Sequence, residues 1–235
     1  MTSIVYPTTN LKHVEQLNIV RGNGVYVYDH SGKEYLEGLA GLWCASLGYG
    51  NTELIEAISD QLKTLSYSHM FGGRTHNVVI QLAEQLSEMV PVENPKIFFA
   101  NSGSEANDSH IKMLRYYFNV TGEPQKKKII ALERSYHGVT VASAALTGLP
   151  ANHAHFDLPV DALGVLRAES PHYYRGRKDN ETESQFCDRI IENLETLILE
   201  QDPETIAAFV AEPIGGASGV VVAPENYFPR VENVL

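Results

Sequence analysis

The stretch Ile97-Phe98-Phe99-Ala100-Asn101-Ser102-Gly103-Ser104-Glu105-Ala106-Asn107-Asp108 carries the densest chemical information in the chain. Its short, aromatic-rich apolar run reads as a buried strand. The run stops at a small polar turn. From Glu105 onward Ile111, Met113, Leu114, Tyr117 and Phe118 recur at helical spacing until Thr121-Gly122 closes the helix. A strand, a tight turn and a helix leave free backbone N–H groups at the helix start, where the helix dipole adds partial positive charge. Gly103 lets a ligand come close to the backbone, and Ser102 and Ser104 offer hydroxyl donors. Two readings fit this pattern. Either Ser104 is an N-cap followed by a favourable first-turn Glu105, or the turn holds a phosphate. Neither the dinucleotide glycine signature nor the P-loop is matched, so a nucleotide is not the favoured anion.

Tyr136 and His137 follow the apolar strand Ile129–Leu132, and Glu212 follows the apolar strand Ile206–Ala211. Ligands of a parallel sheet collect at the carboxyl ends of its strands. Tyr136, His137 and Glu212 are therefore expected on the same edge as Gly103 and Ser104. The plain alternatives are a packed Tyr-His pair and an exposed strand terminus. Trp43, the only tryptophan, follows Leu42 among small residues and is either a core plug or a rigid wall of a pocket. Phe71 lies in the loop His69–Arg74, which is either a packed connection or a functional surface loop.

The elements that must position these groups follow from pattern. Residues 1–21 are poorly periodic and read as an ordered arm with a short helix near His13–Ile19. Val25–Asp29 and Lys33–Glu37 form a hairpin about Gly32. A helix over Thr52–Leu65 turns Leu54, Ile55, Ile58 and Leu62 to one face. A second, over Thr75–Met89, buries Val79, Leu82, Ala83 and Leu86 and ends before Pro91. Lys126-Lys127-Lys128 reads as a solvated strand entrance. A helix spans Val139–Leu146, residues 149–181 read as irregular loop, and a long amphipathic helix runs from Thr182 to Glu200. Gly215–Gly219 is a flexible turn before Val220–Ala223, and Pro224-Glu225 begins a last helix. Strands that are nearly all apolar and separated by helices argue for an α/β fold with a doubly wound, mostly parallel sheet.

Composition narrows the function class. A net charge of −11 argues against a nucleic-acid surface. Hydrophobic content of 43% with 20% charged residues describes an ordinary soluble globular protein. Cys44 and Cys187 are far apart and lack metal-ligand spacing, so a reducing compartment fits and no metal is expected. No apolar run reaches membrane-spanning length and Met1–Tyr6 lacks a signal-peptide design, which makes the cytoplasm the expected location.

Asn-Ser-Gly-Ser-Glu-Ala-Asn-Asp at 101–108, Tyr-His-Gly at 136–138 and Glu-Pro-Ile at 212–214 occur at the intervals seen in class III aminotransferases. The chain resembles that pyridoxal-phosphate family over nearly all its length. Gly41-Leu42-Trp43-Cys44 and Gly48-Tyr49-Gly50 make it most similar to the omega-amino acid or amine:pyruvate transaminases. The resemblance implies the fold type I architecture, with residues 1–57 as an N-terminal arm and hairpin belonging to a smaller domain and 58–235 as the large cofactor domain. It implies that Ser102, Gly103 and Ser104 hold the cofactor phosphate, that Tyr136 stacks on the pyridine ring with His137 beside it, and that Glu212 fixes the groups around the ring. Leu42 and Trp43 would wall the substrate pocket. Phe71 would reach the pocket of the neighbouring subunit in a homodimer.

The family's Schiff-base lysine and pyridinium aspartate follow the Glu-Pro strand, and this chain stops before either. No lysine here stands at a matching place, so residues 1–235 alone are expected to be inactive and unstable, the first half of such an enzyme. Two departures stand out. Gly215 replaces the usual glutamine, and Ala217 stands where 2-oxoglutarate-using members often carry glutamate, which inclines the acceptor towards pyruvate. The implied reaction is transfer of an amino group from an omega-amino acid or amine to a keto acid. An aminomutase on the same scaffold and a non-catalytic remnant of the fold are the alternatives.

Overall fold

A computed structural model describes residues 3–10 and 12–235. The expected N-terminal arm includes residues 1, 2 and 11, which lie outside the described residues. Two compact units divide the chain at Pro95/Lys96.

The first unit opens with the antiparallel strands β1 (Ile19–Asn23), β2 (Tyr26–Asp29) and β3 (Glu34–Leu36), in the order β1-β2-β3. The hairpin is as expected, whereas the helix near His13–Ile19 is not formed. Ile19 instead starts β1 and pairs with Asp29. Asp29 holds the hairpin turn: its carboxylate accepts from the Ser31 and Lys33 N–H groups and from the Ser31 and Tyr35 hydroxyls. Those donors, Ser31 foremost, lower its pKa to about 2. A single turn, α1 (Ala40–Trp43), precedes the helices α2 (Thr52–Thr64) and α3 (Asn77–Met89). Asn51 caps α2 by accepting the Leu54 N–H. Neither helix carries a buried residue: Leu54, Ile55, Ile58, Leu62 and Leu82 stay exposed, so the apolar stripes are present but uncovered.

In the second unit the chain runs α4 (Gly103–Val120), β4 (Lys128–Leu132), α5 (Val141–Leu146), β5 (Val165–Ala168), the short turn α6 (Tyr173–Gly176), α7 (Glu183–Glu200), β6 (Ile206–Val210), the ribbon β7 (Ile214–Gly215) and β8 (Val221–Val222), and α8 (Tyr227–Val234). The sheet is parallel, in the order β5-β4-β6. β4 is buried on both faces, and its period of two divides the core. Ile130 and Leu132 pack with Phe186, Ile190 and Leu194 of α7 and Tyr227 of α8. Ile129 and Ala131 pack with Ile111 of α4 and Ala145 and Leu146 of α5. Helices thus cover both faces, as expected of the α/β class. Among the described residues no helix is long and apolar enough to cross a membrane.

Two sequence expectations are corrected here. Ile97–Ala100 forms no regular element and pairs with no strand among the described residues, and Phe98 is 60% exposed. A strand requires neighbours for its backbone groups, and an apolar run alone does not supply them. Residues 149–181, expected as loop, contain β5. Arg167 within it donates to the Ala145, Leu146 and Thr147 carbonyls at the end of α5. The following loop is gathered by Arg189, which binds Glu169, Glu181 and the Gly176 carbonyl.

Phe186 is 0% exposed and lies against Tyr173 with ring centroids 5.7 Å apart. Phe186→Ala in the intact protein is expected to cost about 3–5 kcal/mol, read as a lowered denaturation midpoint. An unchanged midpoint would show that this cluster does not hold the second unit together.

Candidate functional site

The loop after β4 meets the first turns of α4 and, through Glu212, the turn after β6. Ser102, in extended backbone, is the N-cap: its Oγ accepts the Glu105 N–H at 3.1 Å. This corrects the expected cap at Ser104. Ser104 stands two residues further on and is buried, and its Oγ accepts the Val139 N–H at 3.0 Å. Its hydroxyl proton therefore stays available to another acceptor. Glu105 reaches back to the Asn101 N–H at 2.9 Å. Among the described residues, neither the Gly103 N–H nor the Ser104 N–H has a partner. Gly103 faces open space, since a Cβ built there meets no atom within 4 Å.

Tyr136 and Glu212 are brought together. The Tyr136 N–H donates to Glu212 Oε1 at 2.9 Å, and the Gly216 N–H donates to Glu212 Oε2 at 3.2 Å. One carboxylate thus joins the loop after β4 to the turn after β6. Gly215 fits that turn because Ser218 Oγ lies 2.5 Å from where a Cβ would stand. The turn is better ordered than a flexible linker, since β7 and β8 pair across it.

His137 is buried. Its N–H donates to Thr147 Oγ1 at 2.9 Å, and its carbonyl accepts from Asn107 Nδ2 at 2.6 Å. Its Nε2 has no hydrogen-bond partner among the described residues. Burial lowers its pKa below the ordinary 6.5; Glu212 acts in the opposite sense and Arg167 adds to the lowering. Gly138 follows at φ +140°, where a Cβ would fall 2.5 Å from Ser104 Oγ and closer still to Ser143 Oγ. Only glycine fits that crossing.

Leu42, Trp43 and Phe71 belong to the other compact unit. Ala40, Gly41, Leu42 and Trp43 have φ of 48°, 58°, 57° and 66°, a left-handed turn costing roughly 1–2 kcal/mol per non-glycine residue. It is closed by the Trp43 N–H on the Leu39 carbonyl and the Ala45 N–H on the Ala40 carbonyl. Trp43 is 56% exposed, so it is not a core plug. Phe71 is 86% exposed, which removes the packed-connection alternative for its side chain.

Sequence reasoning missed Asn107, Asp108, Thr140, Ser143 and Thr147. Asp108 Oδ1 accepts from the Thr140 hydroxyl at 2.8 Å and from the Ser143 N–H at 3.0 Å. Nothing in the local sequence signals this, because each partner lies 32 or 35 residues away.

With this geometry in place, comparison with known proteins gives the class. The chain belongs to the class-III aminotransferase family, whose profile matches residues 8–234. It is 49% identical over 223 residues to the vanillin aminotransferase of Capsicum chinense, covering 94% of this chain and 48% of that protein. It is 50% identical to the mitochondrial gamma-aminobutyrate transaminase 1 of Oryza sativa subsp. japonica, covering 94% and 43% respectively. The omega transaminase of Pseudomonas jessenii, solved in complex with PMP, superposes with a TM-score of 0.94 at 48% identity, covering 98% of this chain and 51% of that one. The fold is therefore that of the fold type I transaminases, and the chain spans about half the length of these relatives.

The residues present fit a phosphorylated cofactor of that class. Two unpartnered N–H groups stand at the start of an 18-residue helix, beside the open face of Gly103, and the Ser104 hydroxyl keeps a proton to donate.

Gly138→Ala is expected to lower the stability of the intact protein by roughly 1–3 kcal/mol through strain and crowding. A melting temperature equal to the parent's would contradict the tight crossing. For His137 the folded pKa lies below the unfolded one, so its contribution is complete above 6.5 and is lost as pH falls towards the lowered value. Melting temperature should therefore drop on acidification below 6.5, and His137→Gln should flatten that limb. An identical pH profile in the variant would remove the assignment.

Proposed function

We propose that the intact protein is a pyridoxal-phosphate aminotransferase moving an amino group from an omega-amino acid or amine to pyruvate, as a homodimer. The observation that carries this reading is the pair of unpartnered N–H groups at Gly103 and Ser104, beside the loop that bears Tyr136, whose Val139 N–H donates to the Ser104 hydroxyl. Family membership and the transaminase names of its relatives support it.

When bound, pyridoxal phosphate supplies the electron-accepting ring on which an amino group is taken up and released. The chain's own residues bind and orient it. Ser102 caps the helix start, Gly103 and Ser104 would receive the phosphate, and Tyr136, its N–H held by Glu212, would support the ring. His137, kept neutral by burial, supports Tyr136 without adding a cation. Leu42 and Trp43 wall the substrate pocket, and Phe71 reaches the neighbouring subunit's pocket. In this proposal the lysine and the ring-nitrogen carboxylate come from polypeptide beyond Leu235, and the large cofactor domain begins near residue 58. Pyruvate is favoured because Ala217 offers no carboxylate to manage a distal-carboxylate grip. Both cysteines are free, which supports a reducing compartment, with the cytoplasm proposed.

The intact protein should show a visible absorption band with pyridoxal phosphate that borohydride abolishes, and should form alanine from pyruvate and an amine faster than glutamate from 2-oxoglutarate. Ser104→Ala should weaken cofactor retention on the order of 1–3 kcal/mol. Absence of the band, or cofactor affinity unchanged in Ser104→Ala, would overturn the reading.

A further inference from the structure

Ser104, Asn107 and Asp108 are spaced i, i+3, i+4 on α4 and so share one face of the helix. Each reaches the segment from His137 to Ser143. Ser104 Oγ accepts the Val139 N–H at 3.0 Å, Asn107 Nδ2 donates to the His137 carbonyl at 2.6 Å, and Asp108 Oδ1 accepts from the Thr140 hydroxyl and the Ser143 N–H. Thr140, the N-cap residue of α5, makes no side-chain cap of its own. The Asp108 carboxylate occupies that position from another helix and also faces the positive end of the α5 dipole.

Taking the proposed function as its basis, we infer that Asn107 and Asp108 are positioning residues that hold Tyr136 and the Ser104 hydroxyl in register around the cofactor. Tyr136 is gripped from both sides. Glu212 takes its own N–H, and Asn107 takes the carbonyl of the next residue. Asn107 also sets polarity, because only a donor can face the His137 carbonyl. A carboxylate of the same shape would repel it. Asp108 fixes the far end of the segment, so the Val139 N–H stays on Ser104 Oγ and the serine proton remains directed to the phosphate. Neither side chain needs to touch the cofactor.

The test uses the intact protein, stripped of cofactor and titrated with pyridoxal phosphate. Two quantities are read: the dissociation constant, and the circular dichroism induced in the visible band, which reports a fixed ring orientation. Asn107→Asp and Asp108→Ala should each weaken binding about tenfold and diminish the induced signal, while Asp108→Asn, which keeps an oxygen acceptor, should stay within about threefold of the parent. Should the first two variants fail to fold, Thr140→Val removes one bond to Asp108 and should still weaken binding about threefold. Parent-like affinity and dichroism in the variants, even with lowered melting temperatures, would mean a purely structural role and overturn the inference. If the unmutated protein does not bind pyridoxal phosphate saturably, the functional reading itself fails, a result distinct from parent-like variants.

Discussion

A chain that leaves a buried strand and enters a short helix within nine residues must find partners for every backbone group it turns inward. Here the demand falls on residues 133–140, between β4 and α5. The Glu133, Arg134 and Ser135 N–H groups find the Ala168, Gly148 and Leu132 carbonyls. Beyond them Glu212 and Thr147 accept the Tyr136 and His137 N–H groups, while Asn107 and Ser104 of α4 engage the His137 carbonyl and the Val139 N–H. The rest of the site follows from this constraint. Because the loop is bonded to the first turns of α4, the aromatic ring of Tyr136 and the helix start are held as one body.

The same bonds define the site's electrostatics. The chain as a whole is acidic, with a net charge of −11, so its overall field does not favour an anion. In the proposed site the attraction for a phosphate would be local, from the helix dipole and the unpartnered N–H groups at Gly103 and Ser104. Both Glu212 oxygens accept backbone N–H groups, so the nearest carboxylate of the β6 edge is engaged in holding the loops. Burial keeps His137 uncharged. The hydroxyl of Ser104 links structure to chemistry, because one lone pair satisfies Val139 and leaves the proton free.

Much of this was legible in the sequence. The apolar strands at 129–132 and 206–211 and the helices after them place Gly103, Ser104, Tyr136 and Glu212 on one edge by topology alone. Other parts were hidden for physical reasons. β5 is only four residues long and contains Arg167, whose charge breaks the apolar pattern while its guanidinium serves the end of α5. Ile97–Phe99 has a strand's composition, but composition does not provide a pairing partner. Ser102 and Ser104 are equally good caps on paper, and only the extended backbone of Ser102 separates them. Asn107 and Asp108 resemble any solvated pair on a helix until their partners 30 to 35 residues away are known.

The most direct test of the cradle is a crystal structure of the intact protein with pyridoxal phosphate. The phosphate is expected within hydrogen-bonding distance of the Gly103 and Ser104 N–H groups and of Ser104 Oγ, with the Tyr136 ring stacked on the pyridine and the Val139 N–H still on Ser104. A phosphate seated elsewhere, with these N–H groups facing water, would contradict it.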